Sequence, residues 1–470
     1  MTKKNSIFLL TLILLVSCSK IKVAPPQNLE INDFIWRGLN TFYLWQSKVP
    51  DLSDNRFLST NSYEQFLASE TNADQFFENL IYQRNTSDKW SWIVEDYVAL
   101  ENSFQGVSVH NGMEFGLVYE KDSNRDLFAY VRYVLPNTDA SEKQVKRGMI
   151  FNKVNGSKLN TNNYRDLLFS SNTSYTIHLA DYNDGNPLSN GTSIDLTKSA
   201  YTENPIFITK IIEEGTKKIG YVMYNSFTSS FDQELNAAFL AFKNSGITDL
   251  IFDLRYNGGG SVQTAVYVSS MITGQFDGQL FSKNEWNDKI NIADTNLEKR
   301  FTDQMLIDGN QENINSLSLD EVYFITTKSS ASASELVING LSPYINVHTV
   351  GTQTHGKYVG SITLYDSPNL FSKENINPNH TWAMQPIVIA IKNKLGENRP
   401  EGYEPNVLIQ EDYNNLGVLG ETSDPLLART IQYITTGAKG KQLHKTQNHP
   451  AFFDSKLGTP SSNNMYIQIK

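Results

Sequence analysis

The stretch Ser330-Ala-Ser-Ala-Ser-Glu335 decides how this chain is read. It leaves an apolar, β-branched run, Glu321-Val-Tyr-Phe-Ile-Thr-Thr327, and enters a helix-like one, Leu336-Val-Ile-Asn-Gly-Leu341. Strand, polar turn, helix is the pattern of an α/β unit. A serine at the N-terminus of a helix stands beside N–H groups without intrahelical acceptors and at the positive end of the helix dipole. Both favour a developing oxyanion. Ser332-x-x-Glu335 is also the spacing of a capping box, in which the serine merely closes the helix end. On this stretch alone both readings stay open.

Two further stretches narrow the choice. Thr354-His-Gly-Lys-Tyr358 follows another short strand-like run, Val347-His-Thr-Val350. A lysine there can act as a general base for a serine only if its pKa falls from about 10.4 toward neutrality, through burial or neighbouring positive charge. Taken alone, Lys357 is equally a surface charge on a glycine turn. The second stretch is Asp253-Leu-Arg-Tyr-Asn-Gly-Gly-Gly260. A strand ending in Asn and consecutive glycines presents backbone N–H groups as an anion-holding nest. It matches neither the P-loop pattern nor the dinucleotide fingerprint. Asp253 and Arg255 read as structural.

Together these stretches resemble the carboxyl-terminal processing peptidases (tail-specific proteases), a family of Ser–Lys serine peptidases. The family pattern runs D-L-R-x-N-x-G-G, then [ST]-A-S-A-S-E, then G-K-G, and Lys357 follows Ser332 by the family's 25 positions. The resemblance implies that Ser332 is the nucleophile and Lys357 the general base. It places the oxyanion hole at the N–H of Ala333 and a glycine N–H from Gly258-Gly259. It also implies a ClpP/crotonase-like α/β core and no cofactor or metal. Many members carry a Gln four residues after the lysine; this chain has Ser361, a replacement third member through its hydroxyl, or else the dyad acts alone. His355 has no G-x-S-x-G elbow to serve, and the remaining histidines form no metal-like spacing. It reads as a residue lining the cleft.

Outward from this core the chain divides into a multidomain protein. Residues 201–436 alternate strand and helix and form the Ser–Lys peptidase domain. Residues 105–200 read as short strands, among them Glu114–Tyr119, Leu127–Val134 and Ser174–Leu179. Arg147-Gly-Met-Ile-Phe-Asn-Lys-Val-Asn-Gly156, with Ala140 before it, resembles a PDZ domain of the bacterial protease type, although Met149 stands where an Asp is usual. That resemblance implies that Phe115-Gly116-Leu117 is the loop receiving a peptide C-terminus, with the peptide added as a strand. Residues 29–104 read as helical: Ile31, Phe34, Ile35, Leu39, Phe42 and Tyr43 recur at three- and four-residue steps. Trp36, Trp45, Trp90 and Trp92 are expected to form the aromatic core of a small helical bundle. Residues 437–470 read as a polar, irregular tail.

The single cysteine among 470 residues is Cys18. Lys3-Lys4, an apolar run from Ile7 to Val16 and Leu15-Val-Ser-Cys18 give a charged start, a hydrophobic stretch and a small residue before the cut. This resembles a bacterial lipobox, with 1–18 as signal peptide, Cys18 lipidated and 19–28 a tether. The absence of an acidic run after Cys18 favours a periplasm-facing outer-membrane anchor in the cell envelope. The net charge of −10 argues against non-specific nucleic-acid binding.

The expected function is therefore a lipid-anchored serine endopeptidase that cleaves unfolded or tail-exposed polypeptides received by the PDZ-like domain. Its rivals are a peptide-holding scaffold with an idle dyad, and a serine hydrolase acting on a non-protein envelope substrate. The sequence names no adaptor or regulator.

Overall fold

The computed structural model describes residues 26–290, 298–439, 451–456 and 464–467. Cys18, the signal peptide and most of the tether lie outside them. The N-terminal part is helical, as its apolar spacing requires. α1 (Glu30–Phe42) buries Phe34, Ile35, Leu39 and Phe42 on one face. α2 (Thr60–Leu67) and α3 (Ala73–Asn79) follow, capped by Ser59 and Asn72. α4 (Tyr97–Phe104) is capped by Asp96. α1 to α3 share one apolar core with the α/β part instead of closing a separate bundle, while α4 packs Leu100 against Tyr365 and Ala383.

A sheet of β1 (Met113–Tyr119), β2 (Leu127–Val134), β3 (Ile150–Val154), β4 (Ser174–Asp181) and β5 (Leu188–Thr197) comes next, paired antiparallel. It encloses a core of its own around Leu117, Phe151, Val154 and Ile177. Phe115, Gly116 and Leu117 lie within β1, on a strand and not in the loop the sequence led us to expect.

The α/β core is a six-stranded sheet in sequential order: β6 (Ile206–Glu214), β7 (Lys217–Tyr224), β8 (Asp249–Asp253), β9 (Glu321–Thr326), β10 (Asn346–Gly351) and β11 (Val407–Leu408). The first pair is antiparallel and the rest are parallel. β8 is buried along its whole length, as expected of a parallel strand covered on both faces. The helices are α5 (Asp232–Ser245), α6 (Val262–Ile272), α7 (Ala333–Leu341) and α8 (Pro425–Thr436). Between α6 and β9 lie the further strands Leu280–Trp286, Glu298–Arg300, Gln304–Ile307 and Asn310–Asn313.

The tail departs from its reading as irregular. Ala451–Asp454 pairs antiparallel with β1, and Met465–Tyr466 lies between Gly260–Ser261 and Val359–Ser361 in a second six-stranded sheet. Four- and two-residue strands carry too little periodicity to be seen in sequence. Their strand state comes from the partner edge.

Behind the carboxyl ends of the core strands sits Arg255, fully buried. Its guanidinium lies 2.7 Å from Asp253 and 2.8 Å from Asp424, the residue that caps α8. Asp253 also accepts from Tyr221 at 2.9 Å. Removing the cation leaves two enclosed carboxylates uncompensated, which in buried pairs costs about 3–5 kcal/mol. Arg255→Met is therefore expected to lose stability of that order in urea unfolding. A loss below about 1 kcal/mol would contradict the assignment.

Candidate active site

Ser332 stands where β9 has ended and α7 begins, at φ +60° and ψ −116°. This is a sparsely populated region for a residue with a side chain, a strain of about 1–3 kcal/mol that the surroundings must hold. Several bonds do so. Ser330 Oγ donates to the Leu254 carbonyl at 2.7 Å and accepts from Thr327 N at 3.0 Å. The Asn257 carbonyl receives Ala331 N at 3.1 Å and Ser334 Oγ at 2.9 Å. The glycine run thus grips the serine loop directly. At Gly259, φ +114°, an added Cβ would stand 2.4 Å from Ser332 Cβ and 2.9 Å from Ala333 N. Only glycine fits there.

Ala333 is the first residue of α7, so helix geometry gives its N–H no acceptor within the helix. Gly259 N–H, by contrast, donates to Asn257 Oδ1 at 2.9 Å. It is occupied in this conformation. Of the expected oxyanion donors, Ala333 and Gly258 are the two that this bond leaves in place.

The centre of the site is Glu335, a buried carboxylate. One oxygen receives Thr354 Oγ1 at 2.6 Å and Gly356 N at 2.7 Å; the other receives Ser332 N at 3.0 Å and Lys357 N at 2.8 Å. The capping-box reading found only the bond to Ser332 N. The carboxylate in fact ties the serine turn to the lysine turn. Burial raises its pKa on balance, against the opposing pull of these four donors. Gly356, φ +94°, permits the lysine turn to press against the 400–402 loop: a Cβ there would meet the Pro400 carbonyl at 2.2 Å.

Lys357 is buried with Ser332 on the wall of one small cavity, about 20 Å³, which Glu335, Leu336, Tyr403 and Met465 also line. Burial draws its ammonium down to about 7, opposed by the carboxylates of Asp88 and Glu335. Its Nζ lies 5.8 Å from the centre of the Trp90 ring. Asp88 is fixed by Tyr43 OH at 2.8 Å and by Trp90 N and Ser91 N at 3.0 and 2.9 Å. The turn 88–91 of the helical region therefore forms part of the lysine's surroundings. Trp90 is a half-buried neighbour of Lys357, not the core residue the sequence led us to expect, and no local signal marked Asp88 or Trp90.

The Ser361 hydroxyl lies 2.7 Å from Gln385 Oε1, 2.8 Å from Asn464 Oδ1 and 3.3 Å from the Met465 carbonyl. His355 donates its N–H to the Ser330 carbonyl at 2.9 Å. Burial and the lysines 328, 357 and 89 hold its ring down to about 4, so it is neutral at pH 7. Among the described residues no group of His, Cys, Asp and Glu side chains could hold a metal ion.

Residues 218–369 match peptidase family S41, and residues 30–92 match the peptidase S41 N-terminal domain. The probable CtpA-like serine protease of Staphylococcus saprophyticus is 25% identical over 243 residues, 51% of this chain and 44% of the relative. The chloroplastic C-terminal processing peptidase of Tetradesmus obliquus is 24% identical over 328 residues, 67% of this chain and 65% of the relative. The matched stretches thus span about half to two thirds of those proteins. A solved S41 protease candidate from Bacteroides fragilis NCTC 9343 superposes with a TM-score of 0.64 at 22% identity, covering 86% of this chain and 97% of its own. The photosystem II D1 C-terminal processing protease gives 0.50 at 18% identity, covering 85% and 100%. The fold is that of the S41 proteases, an N-terminal domain followed by an α/β core. Over residues 30–92 and 218–369 the chain is thus similar to peptidase family S41, and the curated relatives it resembles are processing peptidases of the serine type.

Two outcomes follow from this geometry. Protonated Lys357 cannot accept a proton, so kcat/KM should fall about tenfold per pH unit below about 7 and level off above it; a flat profile across that range contradicts the assignment. Glu335→Gln keeps the volume but offers one acceptor oxygen to four donors. It is expected to lower stability by about 2 kcal/mol or more, since each buried donor left unpaired costs about 1–3 kcal/mol. Activity should fall with it, measurable by urea unfolding beside kcat/KM.

Proposed function

We propose that the chain is a serine endopeptidase of the cell envelope that cleaves unfolded or tail-exposed polypeptides through a Ser–Lys acyl-enzyme. The observation that carries the reading is the shared cavity: a serine in a strained turn and a buried lysine drawn down toward neutrality line the same small space. Ser332 Oγ attacks the peptide carbonyl while the Lys357 amine takes its proton. The N–H groups of Ala333 and Gly258 receive the oxyanion. Lys357 then gives its proton to the leaving amine, and a water activated by the same amine releases the acyl group.

Residues 105–200 act in this reading as a PDZ-like receiver of polypeptide, with Phe115, Gly116 and Leu117 on its binding edge. That edge pairs antiparallel with the extended segment Ala451–Asp454, which is the kind of strand addition an incoming polypeptide would make. Residues 29–104 form the helical N-terminal domain, 201–436 the ClpP/crotonase-like peptidase domain and 437–470 the tail. Cys18 would carry the lipid; no helix among the described residues is long and apolar enough to cross a membrane.

The first test is hydrolysis of a permanently unfolded protein by the chain beginning at Ser19, beside its Ser332→Ala twin. The account expects turnover by the first and a fall of roughly 10³-fold or more in the second. Equal turnover by both overturns Ser332 as nucleophile. A second test follows the anchor: in a bacterial host the full chain should fractionate with membranes and Cys18→Ser should be released from them. Identical fractionation of the two contradicts lipidation.

A further inference from the structure

The β1 edge assigned to substrate and the wall of the Ser332–Lys357 cavity are both met by polypeptide, and it is the chain's own. Ala451–Asp454 runs antiparallel to β1, with Phe453 opposite Leu117 and Asp454 opposite Gly116. Ser455 N donates to the Phe115 carbonyl, and Phe115 N donates to Ser455 Oγ, both at 2.9 Å. This is strand addition on the very edge assigned to substrate.

The side chains of the segment are individually received. The Phe453 ring lies 5.2 Å from Tyr164 and 5.6 Å from Phe169, centre to centre, with the Arg165 guanidinium 5.1 Å above it. Phe452 meets Tyr119 at 5.2 Å and Tyr164 at 5.1 Å. The Asp454 carboxylate sits 3.0 Å from Arg132 of β2 and 2.8 Å from Ser329 Oγ. Ser329 lies three residues before Ser332, so this acid joins the groove to the serine loop. Lys456 Nζ donates to the Asn225 carbonyl at 2.9 Å and lies 3.8 Å from Glu203. It stands in a cleft of about 640 Å³ that Phe115, Tyr175, Glu203 and Asn225 also line.

Further along, Asn464–Ile467 is buried between the glycine strand and the strand that follows Lys357. Ile467 N donates to the Ser361 carbonyl at 3.0 Å, and Tyr466 stacks on Phe104 at 4.4 Å. Met465 forms one wall of the Ser332–Lys357 cavity. Two short strands of the tail, Ala451–Asp454 and Met465–Tyr466, thus lie on the receiving edge and beside the Ser332–Lys357 cavity.

Resting on the reading of β1 as the substrate edge, we infer that residues 451–456 and 464–467 are built-in occupants of the polypeptide path. They display what the groove selects: two aromatic residues followed by an acidic one. Polypeptides of that pattern are the class the groove binds, and they must displace a segment held at the high local concentration of a covalent attachment. The resting chain therefore binds them weakly.

The probe is the labelled hexapeptide Ala-Phe-Phe-Asp-Ser-Lys, followed by fluorescence polarisation on the full Ser332→Ala chain. Its Kd should tighten at least tenfold when Phe453→Ala and Asp454→Ala are added to that chain. Replacing both probe phenylalanines by alanine, or its aspartate by asparagine, should weaken binding at least tenfold. Equal Kd values in the two chains, with the altered one folded by circular dichroism, overturn the inference. Loss of pattern dependence overturns it as well. Should the altered chain not fold, hydrogen exchange decides on the otherwise unaltered Ser332→Ala chain: saturating probe should speed exchange in 451–456, and unchanged exchange refutes displacement. Binding is read without turnover. If the probe behaves as expected while no chain hydrolyses protein, the peptidase reading falls and this one stands.

Discussion

Glu335 receives four hydrogens, one from the turn that carries Ser332 and three from the turn that carries Lys357. Those turns leave neighbouring parallel strands and have no sequence continuity. Without a common acceptor, the strained backbone at Ser332 would relax toward an ordinary helix start, and the lysine turn would be free to swing. A buried carboxylate is costly to enclose, and here the cost is offset by four donors aimed at it from fixed backbone. The same burial that raises its pKa strips water from Lys357. Clamp and base are consequences of one enclosed space.

The layers beyond repeat this logic at longer range. Arg255 ties the end of β8 to the cap of α8 through Asp253 and Asp424. Arg147, in the turn before β3, donates to Tyr256 OH at 2.8 Å and to Glu411 at 2.9 Å. Tyr256 sits beside Arg255 in the glycine-run motif, so a charged chain runs from the receiving domain to the base of the serine loop. Arg132 and Asp454 add a second connection, through Ser329. Asp454, paired on the β1 edge, thus bonds directly to Ser329 of the serine loop.

What was legible in the sequence was local. Ser332, Lys357 and the glycine run lie in short motifs at strand ends, where the order strand, turn, helix is written in the periodicity, and the spacing of the pair is a family signature. Glu335 was half legible: its spacing from Ser332 named a cap, but its bonds to 354–357 cross between strands. Asp88 and Trp90 come from a region whose tryptophans look like any helical core. Gly259 looked like a free donor until the Asn257 side chain was placed against it. The tail was misread because a four-residue strand beside an edge has no period of its own; Phe452 and Phe453 are meaningful only against Tyr119, Tyr164 and Phe169.

The central claim is that Ser332 becomes acylated and that Lys357 is the group that makes it reactive. The direct measurement is the mass of the protein quenched during turnover of a slowly deacylating activated ester, followed by mapping of the adduct. It would be made on the full chain and on the Phe453→Ala, Asp454→Ala chain. The account predicts one acyl group on the peptide containing Ser332, growing as pH rises through about 7, and none in Lys357→Ala. An adduct on another residue, or equal labelling without Lys357, would contradict it.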